Sequence, residues 1–458
     1  MTHQNAEHPW ITLRELLAGG AAQAIEMYLT SIPPDDVARG ILRLSQDERQ
    51  QVLSALSPEA AARVLEQIPE SEAADLLEAI APTDAASIVE ELPSDERADI
   101  LRDIRGPDAD EILAEMTPDE AREARAMARY PDDVAGGLMI TEYLSFPRDR
   151  TVGEVVHDLR ANAGRYRGFN VQYVYVTTDG HAGSSLAGVV NLRDLILGDE
   201  SRRIGELMTP KPTKVAEMTP LDELRGIFDQ HHYIALPVVD ASNRLLGVVR
   251  AVDVEEALRD RGASDFRQSQ GIIGGDELRT MPLLVRASRR LSWLSVNILL
   301  NIVAASVIAI YQDTLAAAIA LAVFLPIISD MSGCSGNQAV AVSIRELALG
   351  LVRPSELGRV WLSEILIGLV NGSVLGLLLA LAACLWKANP FLGLVVGAAL
   401  AINTLIAVSI GGLVPLLLKR FRMDPALASG PILTTITDMC GFFLVLYLAT
   451  AMLPRLAT

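Results

Sequence analysis

One carboxylate, Asp438, sits inside the stretch Pro431–Leu453, PILTTITDMCGFFLVLYLATAML. That stretch is long and apolar enough to cross a bilayer as a helix, which takes about 20 residues. A charge there costs roughly 2.5–3.5 kcal/mol on insertion scales, so it should face protein or water rather than lipid. Thr434 and Thr435 precede Asp438 by four and three residues and Gly441 follows it by three, placing all four on one small, oxygen-bearing helix face. An acid paired with a neighbouring helix would need a basic partner at membrane depth, and the other apolar segments contain neither Lys nor Arg. The expected partner is therefore a hydrated cation, held by Asp438 with Thr434 and Thr435 beside it.

A second set of candidate ligands lies in SDMSGCSGNQ, residues 329–338. This run interrupts an apolar segment, Leu315–Ile328, of only 14 residues, after which AVAVSIRELALG resumes. Polar backbone at membrane depth survives only where it lines a cavity or is buried in protein. The sequence thus predicts a broken helix, with Asn337, Gln338 and carbonyls freed near Gly336 offering the oxygens a hard cation prefers.

These residues need a scaffold, and the chain supplies further apolar segments at Leu291–Tyr311, Trp361–Trp386 and Phe391–Leu418. The expectation is a five-helix, all-α transmembrane domain over 286–458. With the N-terminus inside, nine basic residues fall on inner flanks, against Lys387 and Arg455 outside. The N-terminal half is then cytosolic, and the Pro431 end of the last helix is too, which sets Asp438 nearer the inside.

The net charge of −18 conceals a division. From Arg286 onward there are 11 Lys and Arg against 7 Asp and Glu, leaving 28 against 50 in the first 285 residues, a net of −22. Such acidity argues against a nucleic-acid partner and for cations or solvation. Cys334, Cys384 and Cys440 all fall in the hydrophobic half and form no disulfide framework. The opening residues, MTHQNAEHPWITLREL, lack the pattern of a secretory signal, and His3 and His8 are too near the terminus to count as a metal site.

Between Val52 and Met116 an apolar pattern repeats every 12 residues, as in Val52-Leu53, Val64-Leu65, Leu76-Leu77, Ile88-Val89, Ile100-Leu101 and Ile112-Leu113. Proline usually opens each unit, so each reads as a short helix, and stacked short helices give an α-helical superhelical N-domain over 1–130. Its acids, among them Glu90, Glu91, Asp95 and Glu96, form either a solvated face or a divalent-cation-sensing one. Both readings stay open.

The pattern then turns mixed. Thr151–Glu154 starts a helix, Val171–Val176 and Leu186–Val190 read as strands, and Arg193–Ile196 as a helix. The order repeats as Thr219–Leu224, Ala235–Val239, Leu245–Val249 and Asp253–Leu258. Over 131–258 this resembles an α/β tandem CBS-domain pair, with Met139 and Met208 where each unit begins. Such pairs often bind adenine nucleotides, which the resemblance extends to Asp194 and Asp253. Asn191 and Arg250 stand where a hydroxyl is usual, so a structural regulatory module is the safer expectation. His231-His232 reads as a strand pair with diverging side chains, hence surface packing.

Residues 259–285 read as a charged connector, or plug, helix. An acidic helical repeat, a CBS pair, a connector and five membrane helices together resemble the MgtE family of magnesium channels and transporters. The residues that carry this are Tyr130-Pro131 with Ala135-Gly136, Gly336-Asn337-Gln338 with Arg345, and Asp424-Pro425-Ala426 with Pro431, Thr435 and Asp438. The resemblance implies a homodimer in the plasma (inner) membrane, with Mg2+ as the ion. It implies a pore site at Asp438, doubled by two-fold symmetry, which suits a divalent ion that keeps several waters. It also implies regulatory Mg2+ bridging cytosolic acids, for which Glu91, Asp95, Asp253, Glu255 and Glu256 are the candidates. Cys334 replaces the family's first Asn in this run and Asp330 a small residue, changes that could favour a softer ion such as cobalt. A non-transporting membrane sensor of ions or nucleotides is the alternative of a different class. An enzyme is not expected: the sequence carries no Walker motif, nucleophile elbow or His/Cys metal constellation.

Overall fold

Proline and helix-capping side chains punctuate the first 127 residues, and the computed structural model accordingly has ten short helices from Pro9–Ala18 to Pro118–Met127 among the described residues. The structure describes residues 8–456 except 167–168, 170–171, 181–182, 270, 273–276, 278, 280, 282, 422 and 424, and except the side chains of 426–429. His3, Val171 and Asp424 therefore lie outside the described residues. Prolines 34, 58, 82 and 118 occupy the first helical turn of their helices, and Pro69 and Pro93 the N-cap. Ser45 and Glu48 form a reciprocal capping box. The apolar pairs of the 12-residue repeat are buried in one continuous core that runs through successive helices, because no single helix could bury its own stripe.

Two small sheets follow. The first has the order β1 (Leu144–Pro147), β2 (Tyr173–Thr177), β3 (Leu186–Asn191), β4 (Thr209–Pro210). The second has the order β5 (Val215–Ala216), β6 (Ala235–Val239), β7 (Leu245–Arg250). Each begins with a parallel pair and continues antiparallel. The four central strands match the sequence reading, whereas β1, β4 and β5 are too short to have announced themselves. The sheets exchange edges. Ile140 bonds reciprocally with Val248 of β7 at 2.9 Å, and Thr209–Pro210 pairs with β3. This exchange explains two glycines: a Cβ at Gly188 would meet Met208 Sδ at 2.5 Å, and one at Gly247 would meet Met139 Sδ at 2.8 Å. The methionine at the start of each unit thus fills the notch left by a glycine in the other.

The pair His231-His232 is not on a strand. His231 ends the helix Leu221–His231 and His232 takes a left-handed conformation that terminates it, while the His231 ring stacks on Tyr233. Helix α1 (Ala251–Ser269) continues the expected 253–258 helix into the connector but stops at Ser269, so the expected connector helix over 259–285 is corrected: Gly271, Ile272, Glu277, Arg279 and Met281 are not helical.

Contacts divide the chain into two units, Met1–Arg261 and Gly262–Thr458. The second holds α2 (Leu283–Ile310), α3 (Phe324–Ala348), α4 (Leu357–Lys387), α5 (Pro390–Arg420) and α6 (Pro425–Ala451). Among the described residues, five helices here are long and apolar enough to cross a membrane. The expected break at 329–338 is corrected: α3 is helical throughout, and the irregular stretch precedes it, as a short helix at Gln312–Ala317 and a 3-10 turn at Ile319–Val323. The glycines of α3 serve close packing rather than interruption. A Cβ at Gly336 would lie 2.8 Å from Leu433 Cδ2 and 3.0 Å from the Ala407 carbonyl, and one at Gly411 would lie 2.3 Å from the Gly336 carbonyl.

Candidate functional site

Asp438 is the fourteenth residue of the 27-residue α6, hence at its midpoint. The helix begins six residues before the apolar stretch, and within its membrane-length apolar part, Gly430–Ala451, Asp438 lies nearer the Gly430 end. Its side chain is largely buried and accepts a hydrogen bond from the Ser329 hydroxyl of α3. Thr434 donates to the Gly430 carbonyl at 2.9 Å and Thr435 to the Pro431 carbonyl at 2.8 Å. With their hydrogens committed to the helix, both threonine oxygens keep lone pairs for a ligand.

Asn337 and Gln338 are brought onto the same helix as Ser329 but not to Asp438. They lie eight and nine residues beyond it, about 12 Å along the axis. Both are exposed, and so are Asp330, Cys334 and Arg345. At successive turns these residues make a polar stripe along α3, opposite the face buried by Ile328, Ser332, Ser335 and Ala339. Carbonyls near Gly336 are not freed, since the backbone there is helical. Glu364 is a further membrane carboxylate that the sequence reading passed over; it is buried on α4 against Gly412.

In the first unit the regulatory candidates separate. Arg250 donates to both oxygens of Asp253 at 2.6 Å, and its Nη2 lies 3.4 Å from Asp95. A guanidinium therefore links the N-terminal helix Ser94–Asp103 to the second CBS unit. Ser94 adds a second tie, donating to Glu142 through its hydroxyl at 2.7 Å and its amide at 3.0 Å. Around this junction acids crowd one another. Burial, then Glu66, Asp95, Glu256 and Glu70, push Glu96 up to about 8. Burial and Glu70 push Asp99 up to about 7 against Arg102, and burial and Asp253 push Asp95 up to about 6 against Arg250. Glu256 belongs to this cluster. Glu255 is exposed and pairs with Arg259 at 3.3 Å, and Glu91 is exposed at a helix end, where its charge falls on Glu120. Among the described residues, no group of three or more His, Cys, Asp or Glu side chains is already gathered closely enough to hold a metal ion.

The two nucleotide candidates also differ. Asp194 is half-exposed, with Arg193 Nε at 3.5 Å, and Asn191 caps its helix. Asp253 is clamped by Arg250, whose side chain also lines a cleft with Tyr143, Tyr173 and Tyr175.

Comparison with known proteins gives this geometry a context. Residues 32–133 match the MgtE intracellular N domain, 204–260 the CBS domain, and 325–448 the MgtE divalent cation transporter model. The magnesium transporter MgtE of Thermus thermophilus is 34% identical over 333 residues, 72% of each chain. That of Enterococcus faecalis is 33% identical over 330 residues, 72% of this chain and 71% of the relative. The chain belongs to the MgtE family. A crystal structure of the soluble part of a magnesium transporter, 25% identical, aligns with a TM-score of 0.50 over 56% of this chain and 99% of that one. As an MgtE protein the chain is a multi-pass membrane protein with a cytosolic N-terminal half, related to divalent cation transporters. Two residues of its candidate sites were not foreseen. Ser329 was read as part of a break, and Arg250 as a departure from pattern; only the fold reveals their partners.

Proposed function

We propose that this MgtE protein is a Mg2+ channel or transporter that mediates Mg2+ uptake across the plasma (inner) membrane as a homodimer. The observation that carries the reading is Asp438 at the midpoint of α6, held by Ser329 with no basic partner among the described residues. The polar stripe of α3 adds to it, because Asp330, Asn337 and Gln338 are too costly to leave against lipid. A second copy of the chain and a water-filled path between the copies would cover the stripe and double the carboxylates. Thr434 and Thr435 lie on the approach to Asp438, and Asn337 and Gln338 about two turns further along α3. An ion that retains its waters fits such spacing better than a fully stripped one.

Gating belongs to the cytosolic half. The division follows the sequence: helical repeat over 1–130, CBS pair over 131–258, connector over 259–285 and pore domain over 286–458. Glu66, Glu70, Asp95, Glu96, Asp99, Asp253 and Glu256 repel one another, and a divalent ion would relieve that repulsion. Mg2+ binding there closes the pore when the ion is plentiful. An adenine nucleotide, where one binds, takes the CBS pair, with Asp194 and Asp253 as its candidate contacts.

A softer divalent ion such as Co2+ is favoured by one observation, the exposure of Asp330 and Cys334 one turn apart on the stripe. Flux into proteoliposomes containing the purified chain separates the readings. Mg2+ entry that Co2+ inhibits only weakly supports the first; Co2+ entry without Mg2+ entry supports the second. No flux of either ion would point to a sensor.

A further inference from the structure

Asn403 is fully buried on α5, in a helix otherwise lined by apolar and small residues. A buried amide is costly unless its hydrogen bonds are made. Its Nδ2 donates to the Thr437 carbonyl at 3.0 Å, the peptide that leads into Asp438. That carbonyl is thus held from a third helix, while Ser329 holds the Asp438 carboxylate from α3. The approach depends on Gly441, one turn beyond Asp438. A Cβ there would stand 2.7 Å from Asn403 Nδ2, whereas the next side chain, Ile328, lies at an ordinary 3.5 Å. The glycine on the Asp438 face therefore has a specific use: it admits the amide.

We infer that Asn403 is a positioning residue for the Asp438 ion site, working through the Thr437 carbonyl and requiring Gly441 to reach it. The inference rests on the reading of Asp438 as the ion-binding carboxylate. Asn403 touches no ion. It fixes the rotation and height of the α6 turn that carries Asp438, so its loss misplaces the carboxylate without removing it. Gly441→Ala should act by the same route, since the added methyl meets the end of a side chain that can swing away from Thr437.

A double-mutant cycle tests this on the full-length protein in proteoliposomes. Half-saturating Mg2+ is measured for wild type, Asn403→Ala, Gly441→Ala and the double variant, and folding is checked by size exclusion and melting. Each single change should raise half-saturation about five- to tenfold, the effect of losing one buried hydrogen bond. Maximal flux per folded protein should change far less. Gly441→Ala should add less than about twofold in the Asn403→Ala background, because the amide it displaces is already gone. Should Asn403→Ala not fold, Asn403→Ser serves in the same cycle. Multiplying effects, or unchanged half-saturation in both single variants, would overturn the role of Asn403. Asp438→Ala run in parallel tests the underlying reading separately: abolished flux upholds it, and wild-type flux would overturn it together with this inference.

Discussion

Arg250 grips Asp253 with two bonds of 2.6 Å and stands 3.4 Å from Asp95, so one fixed positive charge joins the N-terminal helices to the second CBS unit. A divalent ion placed between those acids would do the same work reversibly. Arg250→Ala leaves two largely buried like charges facing each other. The full-length variant should melt lower than wild type in chelator, by the equivalent of about 1–3 kcal/mol for a lost charged hydrogen bond. Millimolar-range Mg2+ should restore most of the difference and protect residues 1–130 from protease. Equal melting of the two proteins in chelator would show that the guanidinium holds nothing together.

Glu96, Asp99 and Asp95, pushed up to about 8, 7 and 6, set a pH dependence. A carboxyl whose folded pKa exceeds its unfolded value binds more protons when folded, so stability falls as pH rises between the two values. For Glu96 that window runs from 4.5 to about 8, and for Asp95 from 3.8 to about 6. In chelator the melting temperature of the cytosolic half should therefore decline from about pH 5 to pH 8. Mg2+ should flatten the decline, since the ion replaces the protons. A melting temperature that rises across this range in chelator would contradict the crowding of these acids.

Ser329 is the donor to Asp438, and Ser329→Ala removes it while keeping the small size that the α3–α6 contact needs. Half-saturating Mg2+ in a flux assay should shift about tenfold to a hundredfold, the effect of one hydrogen bond to a charged acceptor. Ser329→Thr, which retains the hydroxyl, should shift less if the extra methyl is accommodated. An alanine variant indistinguishable from wild type would leave the bond without a role in ion binding.

Much of the architecture was legible because its signals are local. Thr151 and Glu154 form the capping box that their spacing announces, and Val64-Leu65 or Ile88-Val89 bury as the 12-residue period requires. Asp438 stood out because a charge in an apolar stretch has few inexpensive surroundings. The misreading of α3 came from treating Gly333 and Gly336 by propensity alone. Their meaning is tertiary: Gly336 and Gly411 let two helix backbones approach, and that closeness keeps α3 continuous. Ser329 and Arg250 were invisible for a related reason. Each acts on a residue far away in sequence, Ser329 on Asp438 and Arg250 on Asp95, and a single chain of letters carries no signal for such pairs. Short strands such as β4 and β5 exist because a neighbouring sheet offers them an edge, which local sequence does not record.

Asp438 is the proposed ligand of the transported ion. Mg2+ flux into proteoliposomes by wild type and by Asp438→Ala, each reconstituted at equal folded amounts, tests it most directly. The alanine variant should melt no lower than wild type yet pass little or no Mg2+ at any concentration. Wild-type flux through Asp438→Ala would contradict it.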